Sequence, residues 1–260
     1  MTCYAFAGGL DDKWKTGIES YNPDAEYAGI RALTEHLLRE FADSGKTFII
    51  KNWKGDWHLL GSYDSRLEPT PNAIAAMASW LKARCQAVHD ARQSVRVGGV
   101  QVLSAVEFNL VVKAQRGGKT LLTEVLPHLQ ADLYSYSAWD SISSPRSMLQ
   151  RLDFIKKYAP DSEAFGNNNL IIGELGCPNS YPDKLFRLRL MLSAFKGRGV
   201  PYVFFWQLYD NECAGRALYP VGAETRRQLK CRGYWLIDPL GRKTPSWYLI
   251  KKILASGQES

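Results

Sequence analysis

The chain has 260 residues, 45% of them hydrophobic and 23% charged, with a formal charge of +7. That is enough for one large α/β domain, spanning residues 1–260, with a well-buried core, and it excludes a disordered or low-complexity chain. The basic excess gathers late, in Arg226-Arg227-Gln228-Leu229-Lys230-Cys231-Arg232 and Lys251-Lys252, with no interleaved aromatics, so it reads as a solvated face and nucleic acid is not expected as a partner.

In chain order, Thr2 to Ala7 is a short predicted strand, and a polar loop follows through Asp24. Tyr27 to Ala42 is predicted helical, with Ile30, Leu33, Leu37, Leu38 and Phe41 on one face. Thr47-Phe48-Ile49-Ile50 is a strand running into Lys51-Asn52-Trp53-Lys54-Gly55-Asp56-Trp57. Ala73 to Ser94 is a long amphipathic helix, and Val100 to Val106 is a strand closed by Glu107-Phe108-Asn109. Leu121 to Leu129 reads as a short helix, and Asp132 to Asp140 as a strand with a polar, aromatic end. Ser144-Pro145 opens a helix through Tyr158, with proline in the first turn.

Leu170-Ile171-Ile172 is an apolar run that ends in Gly173-Glu174-Leu175-Gly176. It reads as a strand buried on both faces, with a carboxylate where Gly176 and Pro178 break it. Such a group is costly to desolvate unless paired or used. A helix cap or an arginine pair would be its bland role. Leu185 to Lys196 is a helix, Tyr202 to Glu212 a strand with a polar end, Tyr234 to Ile237 a possible further strand, and Pro245 to Leu254 the last helix.

Strands alternating with helices predict a parallel sheet with right-handed crossovers. A doubly wound sheet would carry a glycine-rich phosphate turn. Gly117-Gly118-Lys119-Thr120 lacks the upstream glycine of one, so a (β/α)8 TIM barrel fits better. Five successive strand ends are polar and aromatic. They hold Asn52, Trp53, Lys54, Asp56 and Trp57; Glu107 and Asn109; Tyr134, Tyr136, Trp139 and Asp140; Glu174; and Trp206, Gln207, Tyr209, Asn211 and Glu212. On one side of a sheet these would define one pocket. Paired carboxylates with hydroxyl-binding polar groups and flat rings suit glycoside hydrolysis. Trp53 and Trp57 serve packing equally well, and Asp140 and Glu212 read as caps.

The strand-end motifs resemble those of the retaining glycoside hydrolases of clan A, in which a nucleophilic Glu closes strand 7 and an aromatic closes strand 8. Gly173-Glu174-Leu175-Gly176 and Phe205-Trp206-Gln207 match those two. From about residue 27 onward the chain is also similar to an uncharacterised bacterial and fungal group related to that clan. Its signature runs Asn-Trp-Glu-Gly-Asp-Trp, Glu-x-Asn, Ser-Tyr-Ser-x-x-Asp, Gly-Glu-x-Gly and Trp-Gln-Leu-Tyr. Here these are Asn52 to Trp57, Glu107 to Asn109, Ser135 to Asp140, Gly173 to Gly176 and Trp206 to Tyr209. The resemblance implies Glu174 as nucleophile, Glu107 as the remaining candidate acid and a carbohydrate ligand. It implies sugar contacts from Asn52, Trp53, Asp56, Trp57, Asn109, Tyr134, Tyr136, Trp139, Trp206, Gln207, Tyr209 and Asn211.

Two departures matter. Lys54 stands where that group has Glu, the acid/base position. Counting back from Glu174 makes the Asn52 strand the fourth and the Thr2 strand the third, so the barrel is expected to lack its first two strands, as a truncated product or fragment would. A noncatalytic sugar-binding relative is therefore the alternative. A third reading, ranked last, gives Lys54 Schiff-base chemistry; an ion pair with Asp56 is the simpler role. Glu174 is expected within reach of Tyr134 or Tyr136.

No metal or cofactor is expected. His36, His58, His89 and His128 lie singly, and none of Cys3, Cys85, Cys177, Cys213 and Cys231 forms a C-x-x-C pair. Met1 to Gly8 lacks the basic and apolar regions of a signal peptide, so the chain as it stands reads as cytoplasmic with reduced thiols, while Cys213 and Cys231 would be free to pair in an exported form. No apolar run approaches a membrane span, and a membrane partner is not expected.

Overall fold

The computed structural model describes residues 16–142, 144–178, 181–209, 231–238 and 240–256. The expected Thr2 strand, Asn211, Glu212 and Cys213 lie outside them. The sheet has five parallel strands in the order of the chain: β1 (Lys46–Lys51), β2 (Val100–Phe108), β3 (Leu133–Ser137), β4 (Leu170–Leu175) and β5 (Val203–Phe205). It curls into a half-barrel, compatible with an incomplete TIM barrel. Tyr234 to Ile237 is not a strand: this segment contributes an isolated antiparallel bridge, Ile237 to Lys243.

Helices cover the outer face. Helix α1 (Pro23–Glu40) begins earlier than periodicity suggests, because Asn22 Oδ1 accepts from Asp24 N at 3.0 Å and Ala25 N at 3.2 Å and Pro23 fills the first turn. A six-residue helix, α2 (Gly55–Leu60), follows β1. Helix α3 (Pro71–Ser94) is capped by Thr70 and buries Met77, Trp80, Leu81, Arg84, Cys85 and Val88, a helical stripe. Short helices α4 (Val111–Gln115) and α5 (Leu121–Glu124) follow β2; the expected helix to Leu129 continues only as a 3-10 turn over Leu126–His128. Then come α6 (Pro145–Ile155), α7 (Lys184–Gly197) and α8 (Pro245–Ser256).

The two faces of the sheet differ. Leu170, Ile172 and Leu175 of β4 pack outward with Leu188, Met191 and Phe195 of α7. The opposite face carries a smaller cluster, Ile49, Leu103, Ala105, Leu133 and Ile171, inside the curl. Side chains alternate between faces, so Lys51, Glu107, Ser135 and Ser137 belong to the inner face, above that cluster.

One irregularity decides what the mouth contains. Tyr136 pairs with Ile172, but Ser137 pairs with Glu174, so the register jumps over Gly173. This is a β-bulge, a device that re-aims a side chain. Strict alternation would put Glu174 among the helices with Ile172. The extra residue turns it inward beside Ser137. Gly173 itself faces inward: a Cβ there would lie 2.0 Å from Ser135 Oγ and 2.5 Å from Glu107 Oε2.

Candidate functional site

Two carboxylates and two lysines meet at the C-terminal ends of the inner strands. Glu174, 5% exposed, accepts from three side chains at Oε2: Lys54 Nζ at 2.5 Å, Trp139 Nε1 at 2.6 Å and Ser137 Oγ at 3.2 Å. Glu107, 0% exposed, accepts from Lys51 Nζ, from the Lys54 backbone N at 2.9 Å and from Ser135 Oγ at 3.3 Å. Asn52 holds the Glu107 backbone on both sides: its Oδ1 accepts from Glu107 N at 2.8 Å and its Nδ2 donates to Glu107 O at 3.0 Å. Asn52 is thus spent on positioning.

Lys54 is the N-cap of α2 and has left-handed backbone geometry, φ 33° and ψ 67°. A non-glycine residue there is strained and persists only where its surroundings hold it. The Lys54 N–H bond to Glu107 is such a hold. The turned backbone sends the side chain over the mouth, where Nζ also donates to Ser137 Oγ at 2.9 Å. The ammonium lies 5.6 Å from the Trp139 ring centre and 6.0 Å from that of Trp53.

Asp56 is not the partner of Lys54, contrary to expectation, nor is it open to a sugar. It is 1% exposed, with Oδ2 accepting from Asn109 N at 2.7 Å and Leu110 N at 3.0 Å, and Oδ1 from Leu121 N at 2.8 Å. It ties α2 to the end of β2 and the start of α5. Burial raises its pKa, the three N–H bonds oppose that, and the Asp140 charge adds to the rise.

Tyr134 and Tyr136 are also elsewhere. Both are 0% exposed in the outer core. Tyr134 OH donates to Leu129 O at 3.0 Å, and Tyr136 OH is bonded to Asp140 and Ser141. The expected approach of either tyrosine to Glu174 is corrected by strand parity: the odd-numbered residues of β3, Ser135 and Ser137, face the mouth. Burial and the neighbouring Asp140 push the Tyr136 hydroxyl well above its usual range. Asp140 acts as a cap, accepting from Val112 N at 2.8 Å at the start of α4.

The remaining nominated residues are more scattered. Trp53 and Trp57 meet edge-on at Tyr63, with ring centres 6.4 and 5.7 Å away. Trp139 is edge-on to Tyr234 at 5.1 Å. Trp206 and Gln207 follow β5 and are half-buried: Trp206 N donates to Leu175 O at 2.7 Å and Gln207 N to Tyr234 O at 3.0 Å. A Cβ on Gly176 would lie 2.6 Å from Trp206 O and 2.8 Å from the Trp139 ring, so this glycine lets those segments close up. Tyr209 is 46% exposed. The Asn109 side-chain oxygen is buried with no hydrogen-bond partner among the described residues.

Behind Trp53 lies His58 of α2, stacked on Trp80 at 5.9 Å and bonded through Nδ1 to Tyr21 OH at 2.8 Å. Burial pushes its imidazole down to about 4, and the Arg84 charge adds to this. Sequence reasoning missed Lys51, Ser135, Ser137 and Tyr234. Strand period groups Ser135 with Ser137, but the pairing register that sets them and Lys51 on the face of Glu107 is not written in the period. Among the described residues no cluster of three or more His, Cys, Asp or Glu could hold a metal ion, and no helix is long and apolar enough to cross a membrane. Among the described residues Cys85 and Cys177 are free, while Cys231 is disulfide-bonded, in contrast to the reduced thiols expected.

No family model and no curated protein matches the chain. Solved structures do. A β-glucuronidase from Bacteroides uniformis superposes with a TM-score of 0.50 at 9% identity, over 84% of this chain. The chain spans about a quarter of that enzyme, 24% of its length. The likeness is one of fold.

Proposed function

We propose that the protein is a glycoside hydrolase-like carbohydrate binder built on an incomplete barrel, which binds a sugar at the mouth and hydrolyses glycosides poorly or not at all. The observation that carries this reading is the Lys54 ammonium 2.5 Å from Glu174. A retaining mechanism needs one carboxylate as nucleophile and a second group that gives up a proton to the leaving oxygen. We give Glu174 the first role, on its position at the end of β4. An ordinary ammonium keeps its proton at neutral pH and is a poor acid there. Glu107 does not replace it: it is fully buried and its oxygens are held by Lys51, the Lys54 N–H and Ser135. Half-buried Trp53, Trp139 and Trp206 supply flat surfaces for sugar rings.

The finer reading keeps Glu174 as a retaining nucleophile whose missing acid slows departure of poor leaving groups. General acid catalysis is typically worth ~10²–10⁴-fold. Lys54→Glu is therefore expected to raise hydrolysis of an unactivated glycoside by that order. Activated aryl glycosides, which need less protonation, gain least. A glycan array with calorimetry, alongside a panel of chromogenic glycosides, makes the measurement. Silence on every glycan, with no ligand-induced rise in Tm, defeats the carbohydrate reading. Brisk cleavage of unactivated glycosides that Lys54→Glu leaves unchanged defeats the role given to Lys54.

A further inference from the structure

Away from the mouth, helices α7 and α8 leave a cleft of about 450 Å³ between them. Helix α7 contributes Leu185 and Arg189, one turn apart. Helix α8 contributes Pro245, Tyr248, Leu249 and Lys252, a stripe at i, i+3, i+4 and i+7, and Lys243 lies just ahead of it. A stripe of this kind normally faces the core. Leu249 does pack against the core, but Tyr248 remains 59% exposed and Leu185 across the cleft 40%.

The charges around this apolar floor have one sign. Arg189, Lys243 and Lys252 are exposed and make no ion pair or hydrogen bond among the described residues; Lys243 lies over the Trp247 ring at 5.3 Å. The acids at the starts of the two segments are already taken, Asp183 by Arg187 and Asp238 by Arg242, each at 2.7 Å. We propose that the cleft binds a free single-chain fatty acid, its chain lying over Leu185, Tyr248 and Leu249 and its carboxylate held by Arg189, Lys243 and Lys252. This site is independent of the carbohydrate reading.

Size and charge select that occupant. The volume falls at the small end of ligand cavities, ~300–1,000 Å³, which suits one flexible chain and not the two of a phospholipid. A partner helix, ~10–12 Å across, would rest on such a cleft rather than enter it. A second copy of this face would set three unpaired cations against three. An anionic head removes that mismatch, and the planar fork of Arg189 matches a carboxylate in particular. Each methylene that the cleft covers is worth about a four-fold gain in affinity. Each exposed charge pair adds about two- to five-fold, less in high salt.

The test is calorimetry on the intact chain with hexanoate, octanoate and decanoate, each below its micelle concentration, and with decanol and decyltrimethylammonium. The dissociation constant is expected to fall about three-fold per methylene along the acid series, and decanoate to bind about ten-fold more tightly than either ten-carbon control. Raised salt should weaken decanoate. Arg189→Glu with Lys252→Glu should weaken it about ten-fold and tighten decyltrimethylammonium. Both residues are exposed, and the wild-type series reads the site even if that variant fails to fold. A diazirine-bearing decanoate should crosslink to α7 or α8, as peptide mass spectrometry would show. Equal binding of the three head groups overturns the proposal, as does decanoate binding that the double variant leaves unchanged. Binding to phosphatidylglycerol vesicles without binding of decanoate also overturns it, and makes the face a membrane surface instead.

Discussion

The mouth of the half-barrel holds two lysine–carboxylate pairs of the same chemistry in different settings. Lys51 and Glu107 join neighbouring strands, with the lysine 17% exposed and the Glu107 side chain 0% exposed, so the two pairs differ at the carboxylate and not at the lysine. Lys54 and Glu174 reach from the end of β1 to β4, with Lys54 15% and Glu174 6% exposed and the ammonium over the rings of two tryptophans. Glu107 is also bound at its backbone by Asn52 on both sides. Being a carboxylate at a strand end therefore does not make a residue chemical. What separates the two is whether every oxygen is claimed by the protein and shut from solvent. By that criterion the first pair is a strut, and the second keeps its carboxylate nearer solvent.

The largest expected effect tests that division directly. Removing one partner of a buried ion pair strands the other charge, at a typical cost of ~3–5 kcal/mol. Lys51→Met should lose that much in urea unfolding. Lys54→Met should lose clearly less, because Glu174 keeps Trp139 and Ser137 as donors and lies nearer water. Equal losses would erase the distinction.

Acid should loosen the mouth side through α2, which carries Lys54 at its start and His58 within it. The unfolded imidazole takes its proton near 6.5, and the folded one resists until about 4. The folded value is depressed, so stability present above 6.5 falls as pH drops toward about 4 and levels off below. The span corresponds to ~3 kcal/mol. Asp56 on the same helix is shifted upward and acts with the opposite sign. The measurement is therefore a difference, wild type minus His58→Phe, by urea unfolding at several pH values. A flat difference from pH 7 to pH 4 would remove His58 as the cause.

Gly173→Ala probes the bulge that brings the carboxylates together. The added Cβ would meet Ser135 Oγ at 2.0 Å and Glu107 Oε2 at 2.5 Å. Overpacking of this kind costs ~1–3 kcal/mol. Ser135→Ala removes the nearer clash, so the double variant should recover part of the loss. Additive losses would mean that the bulge relaxes some other way.

The same bulge marks where sequence reasoning ran out. Alternating strands and helices, the long stripe of α3 and the inward gathering of strand ends are all written in hydrophobic period, and the parallel sheet follows from them. Parity separates Ser135 and Ser137 from Tyr134 and Tyr136 on β3, but which pair faces inward depends on the register, Glu107 opposite Ser135, that strand pairing sets. Aromatic polar side chains look like ligand contacts, yet the hydroxyls of Tyr134 and Tyr136 serve the outer core. Glu174 lay beyond any period, since its inward turn depends on one extra residue that Gly173 permits. Asp56 and Asn52 misled for another reason. Side chains that satisfy backbone N–H groups have the same composition as side chains that bind hydroxyls, and only coordinates tell them apart.

The smallest effects should separate the two pairs most cleanly, because they leave both lysines in place. Trp139→Phe removes the Nε1 donor 2.6 Å from Glu174 but keeps an aromatic face. Ser135→Ala removes the 3.3 Å bond to Glu107. Each deletes one hydrogen bond from a carboxylate that retains its lysine, so each should cost ~1 kcal/mol or less in stability. Their effects on a ligand should diverge. Without the indole N–H, Glu174 is free to turn within the mouth, and affinity for a bound sugar should fall about five-fold, the equivalent of ~1 kcal/mol. The Ser135 hydroxyl bonds the sealed carboxylate and not Glu174, so its loss should leave affinity unchanged. Calorimetry on both variants, with unfolding as the control, gives the answer. A Ser135→Ala protein that binds sugar as weakly as Trp139→Phe would mean that the two pairs act as one unit, with Glu107 felt at the mouth through the Lys54 backbone.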